Sequence, residues 1–77
     1  MPIYVVAGSF LEYQRFLAAQ YLTIHRLDTV WVGGVRALVD SREPEVIVTG
    51  AFRARSDWPE IEAELRARKA TVRYYPA

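Results

Sequence analysis

Gly8-Ser9, Gly33-Gly34 and Thr49-Gly50 each close a run of apolar residues, and Arg53 and Arg55 follow shortly after the last of them. Glycine where a strand ends lets backbone N–H groups come close to an anion, and the forked guanidinium of arginine matches phosphate oxygens. Gly8, Ser9, Phe10, Gly33, Gly34, Thr49, Gly50, Arg53 and Arg55 therefore form a candidate rim for a nucleotide or another phosphate-bearing small molecule. Neither the G-x-G-x-x-G spacing nor a Walker pattern is present, although each would be needed for a specific dinucleotide or triphosphate signature. Glycine also serves to make tight strand-to-helix turns, and that plainer reading of the rim is the favoured one.

Catalytic chemistry finds less to work with. Ser9 lacks the Gly-x-Ser-x-Gly elbow of a strained nucleophile, and His25 stands alone in a polar connection. Asp28, Asp40 and Asp57 fall at loops or caps, and the glutamates fall mostly on helix exteriors, so no acid–base pair is suggested. One histidine and no cysteine offer no metal-ligand spacing. The expectation is a protein that is not an enzyme and carries no cofactor and no metal.

The elements that must hold the rim can be taken in order. Ile3 to Ala7 is an apolar run with no polar alternation, the mark of a strand covered on both faces. Ser9 and Glu12 have the spacing of a capping box, and Phe10, Tyr13, Leu17 and Tyr21 recur on one face of the helix that follows, ending at Tyr21 or Leu22. Leu11, Ala18 and Leu22 form a second apolar stripe on the same helix. Thr29 to Val32 is a second strand, Val35 to Asp40 allows one or two helical turns, and Glu45 to Thr49 is a third strand. Ala51 to Ser56 reads as a loop. Asp57, with Glu60 as its capping-box partner, opens a second main helix whose inward face is Trp58, Ile61 and Leu65. Thr71 to Tyr75 is the last strand, at an edge.

This β-α-β-(short α)-β-α-β order predicts a single α/β domain with a four-stranded parallel sheet in the order 2-1-3-4, two main helices and a short third, because parallel crossovers are right-handed. In such a sheet a ligand binds beyond the strands' carboxyl ends, where the order reverses, here between strands one and three.

The strand with Val-Ala-Gly-Ser-Phe, the Glu-x-x-x-Phe helix (Glu12, Phe16), the Val-Trp-Val-Gly-Gly turn and the Val-Ile-Val-Thr-Gly strand end together resemble the small Rossmann-like (flavodoxin-like) proteins of unassigned function encoded by phages of GC-rich actinobacteria. The resemblance spans nearly the whole chain and implies a phage accessory protein that engages another macromolecule, a host protein being the natural partner. Its motifs are fold motifs, so it assigns no site residue.

Composition narrows the partners. With 77 residues the chain buries only about 60% of its unfolded surface, so a partner subunit would add stability. Ten basic against nine acidic residues give a net charge of +1, too little for counterion release to drive nucleic-acid binding. No apolar run reaches the ~18 residues of a membrane span, and no signal segment is evident, so the expected location is the cytoplasm. In the 2-1-3-4 order helix one lies alone on one face and cannot shield strands three and four. Val46 to Val48 and part of Val72 to Tyr75 should then face water there, an uncovered patch of the kind that marks an interface. The expectation is a homo-oligomer, most simply a two-fold dimer, through Leu11, Ala18, Leu22, Ile47 and Tyr75.

Overall fold

The computed structural model describes residues 3–19, 29–39 and 41–75. Four strands, β1 (Ile3–Val6), β2 (Thr29–Trp31), β3 (Glu45–Thr49) and β4 (Thr71–Tyr75), form one parallel sheet in the order β2-β1-β3-β4. Ile3 stands beside Thr29 on one side and Glu45 on the other, and Glu45 in turn stands beside Thr71. The ladder continues past β2, where the Val32 amide donates to the Val5 carbonyl at 3.0 Å. This is the minimal Rossmann-like architecture that the order of elements predicts.

Helix α1 (Phe10–Ala19) lies on one face and helix α2 (Trp58–Ala67) on the other, with 3-10 turns at Val35–Leu38 and Phe52–Ala54. The alternation of the strands divides the core accordingly. Val6, Val32, Val46 and Val48 pack with Leu38, Phe52, Ile61 and Leu65 on the α2 side. Val5 and Ala7 pack with Tyr13 and Phe16 on the α1 side, joined by the half-buried Leu17, Trp31 and Ile47.

Three expectations are corrected here. Val46 and Val48 do not face water, because strand periodicity turns them into the α2 core; Ile47 alone of that trio faces α1. The buried face of α1 is Tyr13 and Phe16 with Leu17 beside them, while Phe10 is half exposed at the first turn. Residue spacings of three and four from Tyr13 include Phe16, which neither predicted stripe contains. Ala51 to Ser56 reads as a loop in the sequence, whereas Phe52–Ala54 makes a short 3-10 turn that buries Phe52. Tyr21, Leu22, His25, Asp28 and Asp40 lie outside the described residues.

The end of α2 is set by a Schellman turn. The Ala70 amide donates to the Leu65 carbonyl at 3.0 Å and the Lys69 amide to that of Arg66 at 3.2 Å, with Ala70 packed on the core cluster that contains Leu65. Lys69 occupies the left-handed position at φ 54°, where a Cβ is strained and glycine is not. Lys69→Gly is therefore expected to stabilise the protein by about 0.5–1 kcal/mol, a rise of roughly 2–8 °C in Tm. Thermal denaturation followed by circular dichroism checks it, and an unchanged or lower Tm would contradict the assigned strain.

Candidate functional site

The crevice at the reversal point of the sheet lies between the ends of β1 and β3. Gly8 and Gly50 flank it, and the first turn of α1 stands over it. Ser9 caps that turn, its Oγ accepting the Glu12 amide at 3.2 Å. This is one half of the predicted capping box. The other half is replaced, for the Glu12 carboxylate reaches across the crevice and accepts the Ala51 amide through both oxygens, at 3.1 and 3.3 Å.

The two glycines make room for this carboxylate. A Cβ on Gly8 would collide with Glu12 Oε1 and stand 2.9 Å from the Ala51 carbonyl carbon and oxygen. A Cβ on Gly50 would stand 2.7 Å from Glu12 Oε1, and Gly50 also has a φ of +65° that other residues rarely adopt. Where a phosphate would sit against freed backbone amides, the chain has placed a carboxylate of its own.

Arg55 is committed as well. Its side chain is only 9% exposed and forms a paired contact with Asp57, Nε to Oδ1 at 2.9 Å and Nη2 to Oδ2 at 2.8 Å. Its Nη1 donates to the Ala7 carbonyl at 3.1 Å and the Val32 carbonyl at 2.7 Å. One guanidinium thus closes the backbone at the ends of β1 and β2, and it lies 5.3 Å from the centre of the Trp31 ring. Such a fork can serve a carboxylate and two carbonyls at once because its donors point in fixed directions.

Asp57 therefore does not act as the predicted side-chain cap of α2, and Glu60 is not its capping-box partner: the carboxylate makes no cap hydrogen bond and turns back to Arg55, two residues earlier. The backbone carbonyl of Asp57 still receives the Ile61 amide at 3.0 Å, and Pro59 occupies the first turn, where no donor is lost.

The hydrogen bonds from Arg55 hold the Asp57 carboxyl below the ordinary aspartate range. A depressed folded-state pKa adds stability at pH above the unfolded carboxyl's value and loses it as pH falls through the folded one. The protein is accordingly expected to lose stability on acidification below about pH 4, and Asp57→Asn should flatten that part of the profile. Urea melts across the acid range check this; equal slopes for the two proteins would contradict the pairing.

The remaining rim residues are distributed differently. Thr49 is buried, Arg53 is exposed with its guanidinium 4.6 Å from the Phe52 ring, and Ser9 is spent on its cap. The atoms nearest to a Cβ on Gly33 belong to the Trp31 ring, and one on Gly34 would meet nothing within 4 Å. The structure thus joins Gly8, Glu12, Gly50 and Ala51 in one cluster and Arg55, Asp57, Ala7, Val32 and Trp31 in another. Glu12 was missed as a crevice residue, since its partner lies 39 positions away. The Arg-x-Asp spacing of Arg55 and Asp57 was a legible signal for a local pair.

The same edge of the sheet carries aromatic surface. Phe10 rests against Trp31 and Tyr13, with ring centres 5.9 and 5.6 Å apart, while Tyr13 Oη and Thr29 Oγ1 share a hydrogen bond of 2.9 Å. Tyr74 meets Phe52 at 5.8 Å, and Tyr75 meets Phe16 at 5.3 Å. Phe10, Leu11, Tyr74 and Tyr75 nonetheless remain about half exposed.

Among the described residues no group of three or more His, Cys, Asp or Glu side chains could hold a metal ion, and no helix is long and apolar enough to cross a membrane. Comparison of the chain with protein-family models, curated proteins and solved structures returns no match.

Proposed function

We propose that the protein is a non-enzymatic binding protein whose ligand is another protein, engaged through the aromatic surface at the carboxyl edge of its sheet. What supports this reading is that the two groups best suited to a phosphate ligand, the crevice amide of Ala51 and the Arg55 fork, are already taken by Glu12 and Asp57. Large side chains are left exposed at the same edge. Tryptophan, tyrosine and arginine dominate binding energy at protein interfaces, and Tyr74, Tyr75 and Arg53 are of that kind, with Phe10 adding apolar ring surface. The phage origin implied by the sequence resemblance would make the partner a host protein.

A two-fold homo-oligomer through helix α1 belongs to the same reading. Leu11 and Ala18 are exposed on that helix, while Ile47 is already packed beneath it and Tyr75 folds against Phe16. The sheet face meant for a partner helix is thus partly covered from within. Leu22 lies outside the described residues.

The test is affinity capture with the tagged full chain beside a Phe10→Ser, Leu11→Glu variant of equal thermal stability. A prey retained by the first and lost by the second is the expected result; preys retained equally by both would contradict the surface. The nucleotide alternative predicts a different outcome. A ligand present at 100 times its Kd adds about 2.7 kcal/mol to stability, so a nucleotide panel should leave Tm unchanged if the rim is closed, and a Tm rise abolished by Arg53→Ala would restore that alternative.

A further inference from the structure

We propose that the outer edge of β4 is a further docking site, beside the aromatic surface, for an extended segment of the partner protein, one in which acidic and apolar residues alternate; this rests on the protein-binding reading and adds a second contact to it. β4 pairs only with β3 among the described strands. The Thr71 amide donates to the Pro44 carbonyl at 2.9 Å, toward β3. In a parallel ladder the direction of the backbone groups alternates along the strand. The N–H and C=O groups of Val72 and Tyr74 therefore point outward, where an added strand would meet them.

The side chains of the same two residues line a groove of about 340 Å³ between β4 and α2, completed by Trp58, Leu65 and Ala70 with Glu62, Arg66 and Lys69 at its rim. A strand added to β4 would place alternate side chains in this groove. The residues between them would lie on the other face, beside Arg73, which is exposed at the middle of β4.

Charge selects the occupant. At the groove rim Arg66 and Lys69 stand beside one acid, Glu62, itself 3.9 Å from Arg66, and on the other face of the strand Arg73 stands beside Ile47. A second copy is a poor fit: full-length antiparallel pairing of two β4 strands centres on Arg73 and sets the two arginines directly opposite each other, where like charges repel. An acidic residue at that position relieves the repulsion and adds a cross-strand pair, with apolar neighbours entering the groove.

Selection of a random linear-peptide library on the immobilised full chain tests the site. The expected products alternate acidic and apolar residues, and Arg73→Glu should weaken them by about tenfold or more. Tyr74→Pro removes an outward donor that β3 does not use and should abolish binding, whereas Tyr74→Ala should only reduce it. If Tyr74→Pro does not fold, selected peptides N-methylated at alternate residues give the same readout: one parity loses binding and the other keeps it. Peptides unaffected by Arg73→Glu and by methylation of either parity, but lost with Phe10→Ser, would overturn the edge site and leave the protein-binding reading standing. Failure to enrich any peptide also overturns the edge site, and the broader reading then stands or falls on capture of a folded partner. A dimer mass in light scattering that Tyr74→Pro returns to monomer would replace the proposed occupant with a second copy.

Discussion

Replacement of Arg55 by Met is expected to cost about 3 kcal/mol, lowering Tm by roughly 12–24 °C in a domain of this size. The argument rests on what the guanidinium leaves behind. Its loss strands the carbonyls of Ala7 and Val32, both nearly out of reach of water, and leaves Asp57 without its counter-charge. An unmet buried acceptor costs about 1–3 kcal/mol, and Asp57, still about a third exposed, recovers part of its share from solvent. Total stability for 77 residues is roughly 4–12 kcal/mol, so this one change removes a large part of it. Arg55→Lys keeps the charge but has no fork, and should recover less than half of the loss. Asp57→Ala, which leaves both carbonyl contacts intact, should cost less than Arg55→Met. The reverse order in chemical denaturation would show that the ion pair matters more than closure of the strand ends.

Gly50→Ala and Gly8→Ala should both destabilise, by about 2–3 kcal/mol, and for separable reasons. At Gly50 part of the cost is the left-handed backbone and part is displacement of the Glu12 carboxylate from the Ala51 amide. Glu12→Ala removes the second part, so in that background Gly50→Ala should cost only about 1 kcal/mol. At Gly8 the Cβ also meets the Ala51 backbone at 2.9 Å. A backbone cannot swing aside as a carboxylate can, and most of the Gly8→Ala cost should survive Glu12→Ala. A double-mutant cycle measures both couplings. Equal additivity at the two glycines would contradict the placement of Glu12 between them.

The fold was legible because its signals are local. The apolar run at Ile3–Val6, the β-branched core of Glu45–Thr49, a glycine closing each, and helix periods between the strands leave little topological choice once crossovers are right-handed. The site was less so. Ser9 and Glu12 matched a local capping box, yet the Glu12 carboxylate found a stronger claim in a backbone amide that the fold, not the sequence spacing, brings near it. Asp57 met the same competition, since a charged fork two residues back outweighs a neutral amide in its own helix. Arg53 and Arg55 looked alike in sequence. Burial separates them, one becoming a structural tie and the other remaining on the surface beside Phe52.

The most direct test of the closed crevice is a titration of the ¹⁵N-labelled protein with ATP and with inorganic phosphate at millimolar concentration, read at the amides of Ser9, Gly50 and Ala51. With the Glu12 carboxylate holding the Ala51 amide, these resonances should stay in place for the native chain. Saturable shifts at Gly50 and Ala51 in the native chain, reaching the same end point as the ligand concentration rises, would mean that an external anion displaces Glu12 and that the rim is a ligand site after all.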